Sequence, residues 1–278
     1  MRELAGRTAF VTGGASGIGL ALGRAFAHAG MQVMLADIET EALPAAVDSL
    51  RGLGPAVRGV ACDVADPASV ERAAEASYAA FGHVHVLCNN AGVAAGSGID
   101  MISLDTWRWV LEVNLMGVLH GIRTFLPHIR AHGQGGHIVN TASMAGLQSN
   151  LGFSPLCDQQ IRGGRHVGRA GAGAQAVRHR RDRALPRLRP HRISDSGRNR
   201  LERYGPRQRP DPASPAAALA AKLAELSEAG LDPSAVAAQT LAAIRADELY
   251  VFTHPEMRGE VEARFAAIVA ALDKAAGR

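Results

Sequence analysis

Lysine is missing from most of this chain: none precedes Lys222. Tyrosine is nearly as scarce, with three in 278 residues and none between Tyr78 and Tyr204. Three cysteines, Cys62, Cys88 and Cys157, make an odd number without metal or redox spacing. They exclude a disulfide framework and a cysteine metal centre, and a reduced, cytoplasmic setting is the expectation. No apolar run reaches the roughly 18 to 20 residues that span a bilayer, so no membrane association is expected. The N-terminus, MRELAGRTAF, has no apolar h-region, which argues against a secretory signal.

What is present fits one α/β domain over residues 1–278, with 47% hydrophobic residues to fill its core. The net charge of +4 is unevenly spread. Residues 156–192 hold ten arginines, no lysine and two acids, Asp158 and Asp182, a local charge of +8 that leaves the remainder at −4. A mildly acidic protein therefore carries one basic, glycine-rich insert.

Before that insert, short apolar runs alternate with helical patterns. Strands are predicted at Thr8–Val11, Gln32–Ala36, Val57–Ala61, Val84–Cys88 and His137–Thr141. Helices are predicted from the first glycine turn to about Ala29, then at Glu39–Arg51, Pro67–Phe81 and Leu104–Arg130. Strands separated by helices imply parallel pairing through right-handed crossovers, and near-continuous apolar strands imply a sheet covered on both faces. The fold class is a Rossmann-type, doubly wound parallel sheet. After Ser154 the periodicity fails until about Ser194. Helices at Pro215–Ala229 and Pro233–Arg245, a strand at Leu249–Thr253 and a helix at Glu256–Lys274 follow.

The turn Thr12-Gly13-Gly14-Ala15-Ser16-Gly17-Ile18-Gly19 follows the first strand and opens the first helix. Gly13 permits the sharp turn, Gly17 the approach of a pyrophosphate, and Gly19 close helix–strand packing. The helix N-terminus, with Ser16 and Ile18, offers N–H groups to phosphate. Asp37 ends the second strand, where a carboxylate accepts both ribose hydroxyls of an adenosine and repels a 2′-phosphate. No Arg or Lys follows it or sits in the turn, which favours NAD over NADP. The alternative for Asp37 is a helix N-cap. Asp63, with Val64 beside it after the third strand, would touch adenine or cap the next helix.

The spacing Thr-Gly-x3-Gly-x-Gly resembles that of the short-chain dehydrogenase/reductase family. So do Asn89-Asn90-Ala91-Gly92 after the fourth strand, Asn114 within Glu-Val-Asn-Leu, and Ser143 within Asn-Thr-Ala-Ser-Met-Ala-Gly. The resemblance covers residues 5–155, resumes at Arg192-Ile193-Ser194-Asp195-Ser196-Gly197 and runs to the C-terminus. It implies hydride transfer between NAD and a secondary alcohol or ketone. Asn90, Ala91 and Gly92 would line the adenosine side of the site. Ser143 would bond the substrate oxygen, Asn114 would hold a water in the proton relay, and residues 193–230 would cover the substrate. A homo-oligomer is also implied.

The resemblance further implies a tyrosine acid/base at position 156 and a lysine at 160. The lysine lowers the tyrosine's pKa and binds the nicotinamide ribose. This chain has Leu156 and Gln160 instead, and neither Cys157 nor Asp158 is an evident substitute. Hydride transfer creates or consumes alkoxide charge, so a proton partner must stand nearby.

Back-translation of the amino-acid sequence offers a reason. Read one base later, degenerate codons for Leu156–Gly164 permit Tyr-Ala-Thr-Ser-Lys-Phe, placing Tyr and Lys at positions 156 and 160. Over Arg178–His191 the same shift permits Gly-Ile-Gly-Val-Thr-Val-Leu-Cys-Pro-Gly-Phe-Val-Arg-Thr, a buried strand and a Pro-Gly turn. A compensated frameshift across about 156–191 is the expectation. As written, the segment is expected to be loop-like, to leave the sheet a strand short, to weaken oligomers and to impair turnover. Its arginines also raise a nucleic-acid contact as an alternative. The lack of interleaved aromatics and of any recognisable module argues against it.

Overall fold

The computed structural model describes residues 1–95, 102–143, 179–185, 192–206, 217 and 231–277. Seven strands form one parallel sheet. They are β1 (Thr8–Thr12), β2 (Gln32–Asp37), β3 (Val57–Ala61), β4 (Val86–Asn89), β5 (Gly136–Thr141), β6 (His179–Leu185) and β7 (Tyr250–Phe252), in spatial order β3-β2-β1-β4-β5-β6-β7. The strand order reverses between β1 and β4, and in open α/β sheets ligands bind in the crevice at that switch point.

Alternation along β1 shows how both faces are filled. Ala9 and Val11 join the apolar layer under α1 (Gly17–His28), with Leu22, Phe26 and Leu35. Phe10 turns the other way, to Val70 of α3 (Pro67–Phe81) and Phe125 of α5 (Gly117–Ala131). The helix α6 (Pro233–Ala246) completes the first layer through Val236, Leu241 and Ile244. A strand buried on both faces must be apolar throughout, as Thr8-Ala-Phe-Val nearly is.

Two expectations are corrected here. The predicted helix Leu104–Arg130 is three pieces: α4 (Leu104–Leu111), a π-helical turn at Glu112–Met116, and α5. The π-turn centres on Asn114, and such bulges concentrate at functional sites. Sequence periodicity does not resolve one inserted residue. The predicted second helix, Glu39–Arg51, shortens to α2 (Leu43–Asp48).

The sheet is also not a strand short. β6 pairs with β5 from Gly136↔His179 to Thr141↔Ala184, and with β7 from Arg183↔Tyr250 to Leu185↔Phe252. A parallel ladder uses only backbone N–H and C=O groups, so any proline-free segment can fill the gap between β5 and β7. His179–Leu185 holds no proline, and Pro186 follows it. The strand covers the seven positions where the shifted reading gives Ile-Gly-Val-Thr-Val-Leu-Cys. The remainder of the aberrant stretch, residues 156–178 and 186–191, lies outside the described residues, as does the predicted helix Pro215–Ala229 apart from Ala217.

Opposite the crevice, His85 is buried at 4% exposure. Its Nδ1 accepts the Thr8 N–H (3.1 Å) and its Nε2 lies 3.0 Å from Gln134 Oε1, the pattern of a neutral ring. Burial lowers its pKa, with Arg7, His132 and His83 adding to the shift against the Gln134 bond. The unfolded chain therefore binds the proton first as pH falls. Stability should be full above about pH 6.5, decline as pH falls toward the depressed value, and stay reduced below it. Each unit of depression costs about 1.4 kcal/mol at the acid limit. Thermal melts from neutral to mildly acid pH should show this slope, and His85→Asn, which keeps an acceptor toward Thr8, should flatten it.

Candidate functional site

The crevice is built on a network around Thr12 and Asn90. Thr12 Oγ1 donates to Cys88 O (3.2 Å) and accepts the N–H groups of Asn90 (2.9 Å) and Ala91 (3.0 Å). Asn90 Nδ2 donates to Thr12 O (3.0 Å), and its Oδ1 accepts from Thr141 Oγ1 (3.1 Å). One side chain thus ties the ends of β1, β4 and β5 together. Deeper in the sheet, Asn89 Nδ2 donates to Asn140 Oδ1 (2.8 Å).

The glycine turn lies against this network without space for side chains. Gly13 has φ +65° and a Cβ there would meet Ala91 Cα at 2.9 Å; a Cβ on Gly19 would meet Gly13 O at 2.0 Å. Ser16 is the N-cap of α1 in extended conformation, but its side chain does not cap, and no acid stands in the first turn. Backbone N–H groups at this helix start carry a positive dipole end, and the first turn itself holds no acidic side chain, which suits a pyrophosphate.

Asp37 is buried at the end of β2. One carboxylate oxygen accepts the Ala15 N–H (2.8 Å) and the other the Glu39 N–H (3.0 Å). It is not a helix cap, since α2 begins at Leu43 with Ala42 before it. The carboxylate is oriented by the turn it faces, with lone pairs left for a ribose. Asp63 is not a cap either: the N-cap of α3 is Asp66, whose Oδ1 accepts the Ala68 N–H (3.0 Å). Asp63 Oδ1 accepts the Ala65 N–H (3.0 Å) and its Oδ2 accepts from Arg203 (2.7 Å). Val64 is buried, its carbonyl 2.9 Å from His120 Nδ1 and its side chain against Gly117.

The Asn114 side chain is engaged by backbone groups. Its Oδ1 accepts the Val93 N–H (2.8 Å) and its Nδ2 donates to Val93 O (2.8 Å). The amide clamps the loop after Gly92 to the π-turn. Ser143 stands two residues past β5, at the carboxyl edge shared with the glycine turn. Leu156 and Gln160 lie outside the described residues.

Sequence reasoning missed Tyr204. It is buried with Val93, Trp109 and Val110, and it donates to Glu112 Oε2 (2.5 Å) while Arg203 lies 3.0 Å from its hydroxyl. A tyrosine beside a cation is the arrangement an acid/base needs. Here burial and the bond to Glu112 outweigh Arg203 and push the pKa up to about 12, the direction opposite to an active base. Burial, with Asp63 nearby, likewise pushes the Cys62 thiol up to about 12. No cluster of three metal-ligating side chains occurs among the described residues, and none of their helices is long and apolar enough to cross a membrane.

Residues 7–156 match the family model described as short chain dehydrogenase. The chain belongs to that family. The match ends at the position where the tyrosine is expected and Leu156 stands. A C alpha-dehydrogenase from Sphingobium sp. (strain SYK-6) is 30% identical over 97% of this chain and 87% of its own length. A 1-deoxy-11-beta-hydroxypentalenate dehydrogenase from Streptomyces avermitilis is 39% identical, over 52% of this chain and 54% of its own length. The chain is matched to several such relatives over about half their length. Among solved structures, a short-chain dehydrogenase/reductase from Burkholderia phymatum in complex with NAD shares the fold at TM-score 0.88. It is 36% identical, over 98% of this chain and 97% of that one. The family, its oxidoreductase character and its parallel α/β sheet are thereby established for this chain.

Proposed function

We propose that this chain is an NAD-binding short-chain oxidoreductase of alcohol or carbonyl substrates whose turnover, in the sequence as written, is impaired. The observation that carries the reading is an intact dinucleotide cradle, Gly13 to Gly19 with Asp37, in a chain with Leu156 and Gln160 where the family places its tyrosine and lysine. The nicotinamide supplies hydride transfer when bound. The chain's residues supply the rest. The start of α1 and Gly17 hold the pyrophosphate, Asp37 the adenosine ribose, and Asn90, Ala91 and Gly92 the wall of the crevice. Asp63 and Val64 border the adenine. Asn114 fixes that wall, and Ser143 offers a hydroxyl to the substrate oxygen. A serine hydroxyl orients that oxygen but does not exchange its proton at neutral pH without a partner.

A dinucleotide-binding protein without turnover is the second reading, favoured by the same pairing of intact cradle and lost proton partner. Titration with NADH followed by fluorescence, beside an NAD-linked assay over secondary alcohols and ketones, separates the two. Saturable binding is expected, and its absence overturns the cofactor assignment.

Preference for NAD follows from Asp37. Asp37→Asn keeps an acceptor for Ala15 but removes the charge that repels a 2′-phosphate. NADH affinity should fall by about tenfold and discrimination against NADPH should narrow by at least that factor. Unchanged discrimination would move the selectivity elsewhere. The frame displacement across 156–191 belongs to the proposal: β6 stands at the shifted reading's apolar strand, and the family match stops where the shift begins. Association into homo-oligomers, weakened by the altered segment, is part of the same reading.

A further inference from the structure

The amino edge of the sheet, opposite the crevice, carries three histidines in mutual contact. The His85 and His132 rings lie 5.0 Å apart between centroids, and His83 stands 5.1 Å from His132 and 6.4 Å from His85. The proposed chemistry uses none of them.

Two of these rings are fixed by the same rule. A backbone N–H can only donate, so an imidazole nitrogen that receives one is unprotonated. His85 Nδ1 receives the Thr8 N–H (3.1 Å) where β1 begins, and His132 Nδ1 receives the Gln134 N–H (3.1 Å) in the connection between α5 and β5. The far nitrogens therefore carry the protons. His132 Nε2 donates to Val84 O (3.1 Å), and His85 Nε2 donates to Gln134 Oε1 (3.0 Å), which also accepts from Arg7 Nη1 (2.7 Å). Gln134 is thus bonded to both rings, to one through its backbone and to the other through its side chain. The connection itself borders open space: Gly133 and Gly135 both have positive φ, and a Cβ on either would meet nothing within 4 Å.

A proton added to either Nδ1 would face an N–H across a hydrogen-bond distance, and attraction would become repulsion. Neighbouring groups add to that cost. Arg7 comes from the residue before β1, and His83 from the turn before β4. On β5, His137 donates its N–H to His85 O (2.9 Å), and its Nε2 lies 2.9 Å from the Met1 amino group. Burial lowers the pKa of His132, as it does that of His85, and Arg7 and His83 deepen both shifts.

We propose that His85 and His132 form a proton-operated clasp at the amino edge: both rings must be neutral to hold the connection 132–135 to the start of β1, and mild acid frees that connection while the crevice at the other end of the sheet stays formed. The inference is independent of the nucleotide reading. Its sign follows from linkage. The freed rings take up protons near pH 6.5 and the held rings only below it. The clasp is therefore fully closed above about pH 6.5 and opens as pH falls toward the depressed values. Each ring that must gain a proton makes the opening constant rise about tenfold per pH unit, and two rings together about a hundredfold.

Hydrogen–deuterium exchange on the full chain between about pH 7.5 and about pH 5, corrected for the intrinsic pH dependence of amide exchange, tests it. Opening at the Thr8 and 132–137 amides should accelerate by about a hundredfold per pH unit at its steepest, while the Gly13–Gly19 amides stay within about threefold. His85→Asn and His132→Asn each keep an acceptor for the backbone N–H but cannot be protonated. Each should lower the slope to about tenfold, and the double variant should abolish it. In the wild type, the ring C2 proton resonances of both histidines should titrate below about pH 6.5 in step with the amides, a readout that does not depend on how the variants fold. A slope of about tenfold that His132→Asn leaves unchanged overturns the two-ring clasp. Rings that titrate without faster exchange overturn the release, because the connection then holds with charged rings. Equal acceleration at Gly13–Gly19 overturns its local character, because the whole fold then opens.

Discussion

A chain carrying the shifted reading across residues 156–191 should turn over an NAD-linked secondary alcohol about 10³ to 10⁴ times faster than the chain as written. The factor is the contribution of a positioned acid/base, about 10² to 10⁴, taken at its upper end because the lysine's hold on the nicotinamide ribose is restored too. Steady-state NADH absorbance, on whichever secondary alcohol the restored chain accepts best, measures both. Leu156→Tyr with Gln160→Lys alone should recover far less. A tyrosine is a base only if its helix holds it near Ser143 with the lysine alongside, and the surrounding residues remain arginine- and glycine-rich. The restored chain should also be more stable. A central strand covered on both faces is built from residues such as Ile, Val and Leu. His179–Leu185 as written brings three arginines and an aspartate to that position in the sheet. Robust turnover by the chain as written would refute the whole account. The nucleotide sequence over codons 150–195, with a peptide mass for the segment, would show whether the displaced frame is in the gene.

The strand–helix alternation was readable because it rests on local patterns. Gln32–Asp37 and Pro67–Phe81 carry their boundaries in their own residues: a short apolar run, Val33 to Ala36, closed by Asp37, and Asp66-Pro67 at a helix start. The glycine turn and Asp37 were readable for the same reason. What they need is steric and electrostatic and lies within one βαβ unit. Asn114 was found, but its partner was not. A side-chain amide that pairs with both backbone groups of Val93 leaves no sequence period, and neither does the π-turn it occupies.

Longer-range contacts were invisible. Arg198 meets Glu39, 159 residues earlier, and Arg203 meets Asp63, 140 residues earlier, because β6 returns the chain to the carboxyl edge of the sheet. Sequence spacing found no cation near Asp37, yet folding delivers one to Glu39. That cation is engaged by the Glu39 carboxylate, so its charge is answered within the rim. The β6 strand was misjudged for an instructive reason. Side-chain pattern decides whether a strand is well supported, whereas the ladder itself asks only for backbone groups and a gap of the right length.

Gly19→Ala should be the most damaging single-methyl change in the cradle. A Cβ at that position meets Gly13 O at 2.0 Å and Asn90 Nδ2 at 2.7 Å, and neither is the free end of a flexible chain. Gly13 O belongs to a turn fixed at φ +65°, and Asn90 is bonded to Thr12 and Thr141. Relief therefore requires α1 to move off β1, which separates the helix N-terminus from the turn and breaks the packing of Leu22 and Phe26 below it. Overpacking of this kind costs about 1–3 kcal/mol, and loss of the phosphate geometry should weaken NADH binding by at least tenfold. Gly259→Ala provides the control: it lies in α7 (Arg258–Ala276), where an added Cβ meets nothing within 4 Å. That change should be neutral or slightly stabilising, as Ala is the better helix former. Chemical denaturation and NADH titration on the two variants decide the matter. Gly19→Ala with unaltered stability and affinity would mean that the turn is looser than its contacts indicate, and that phosphate recognition does not depend on the close seating of α1 on β1.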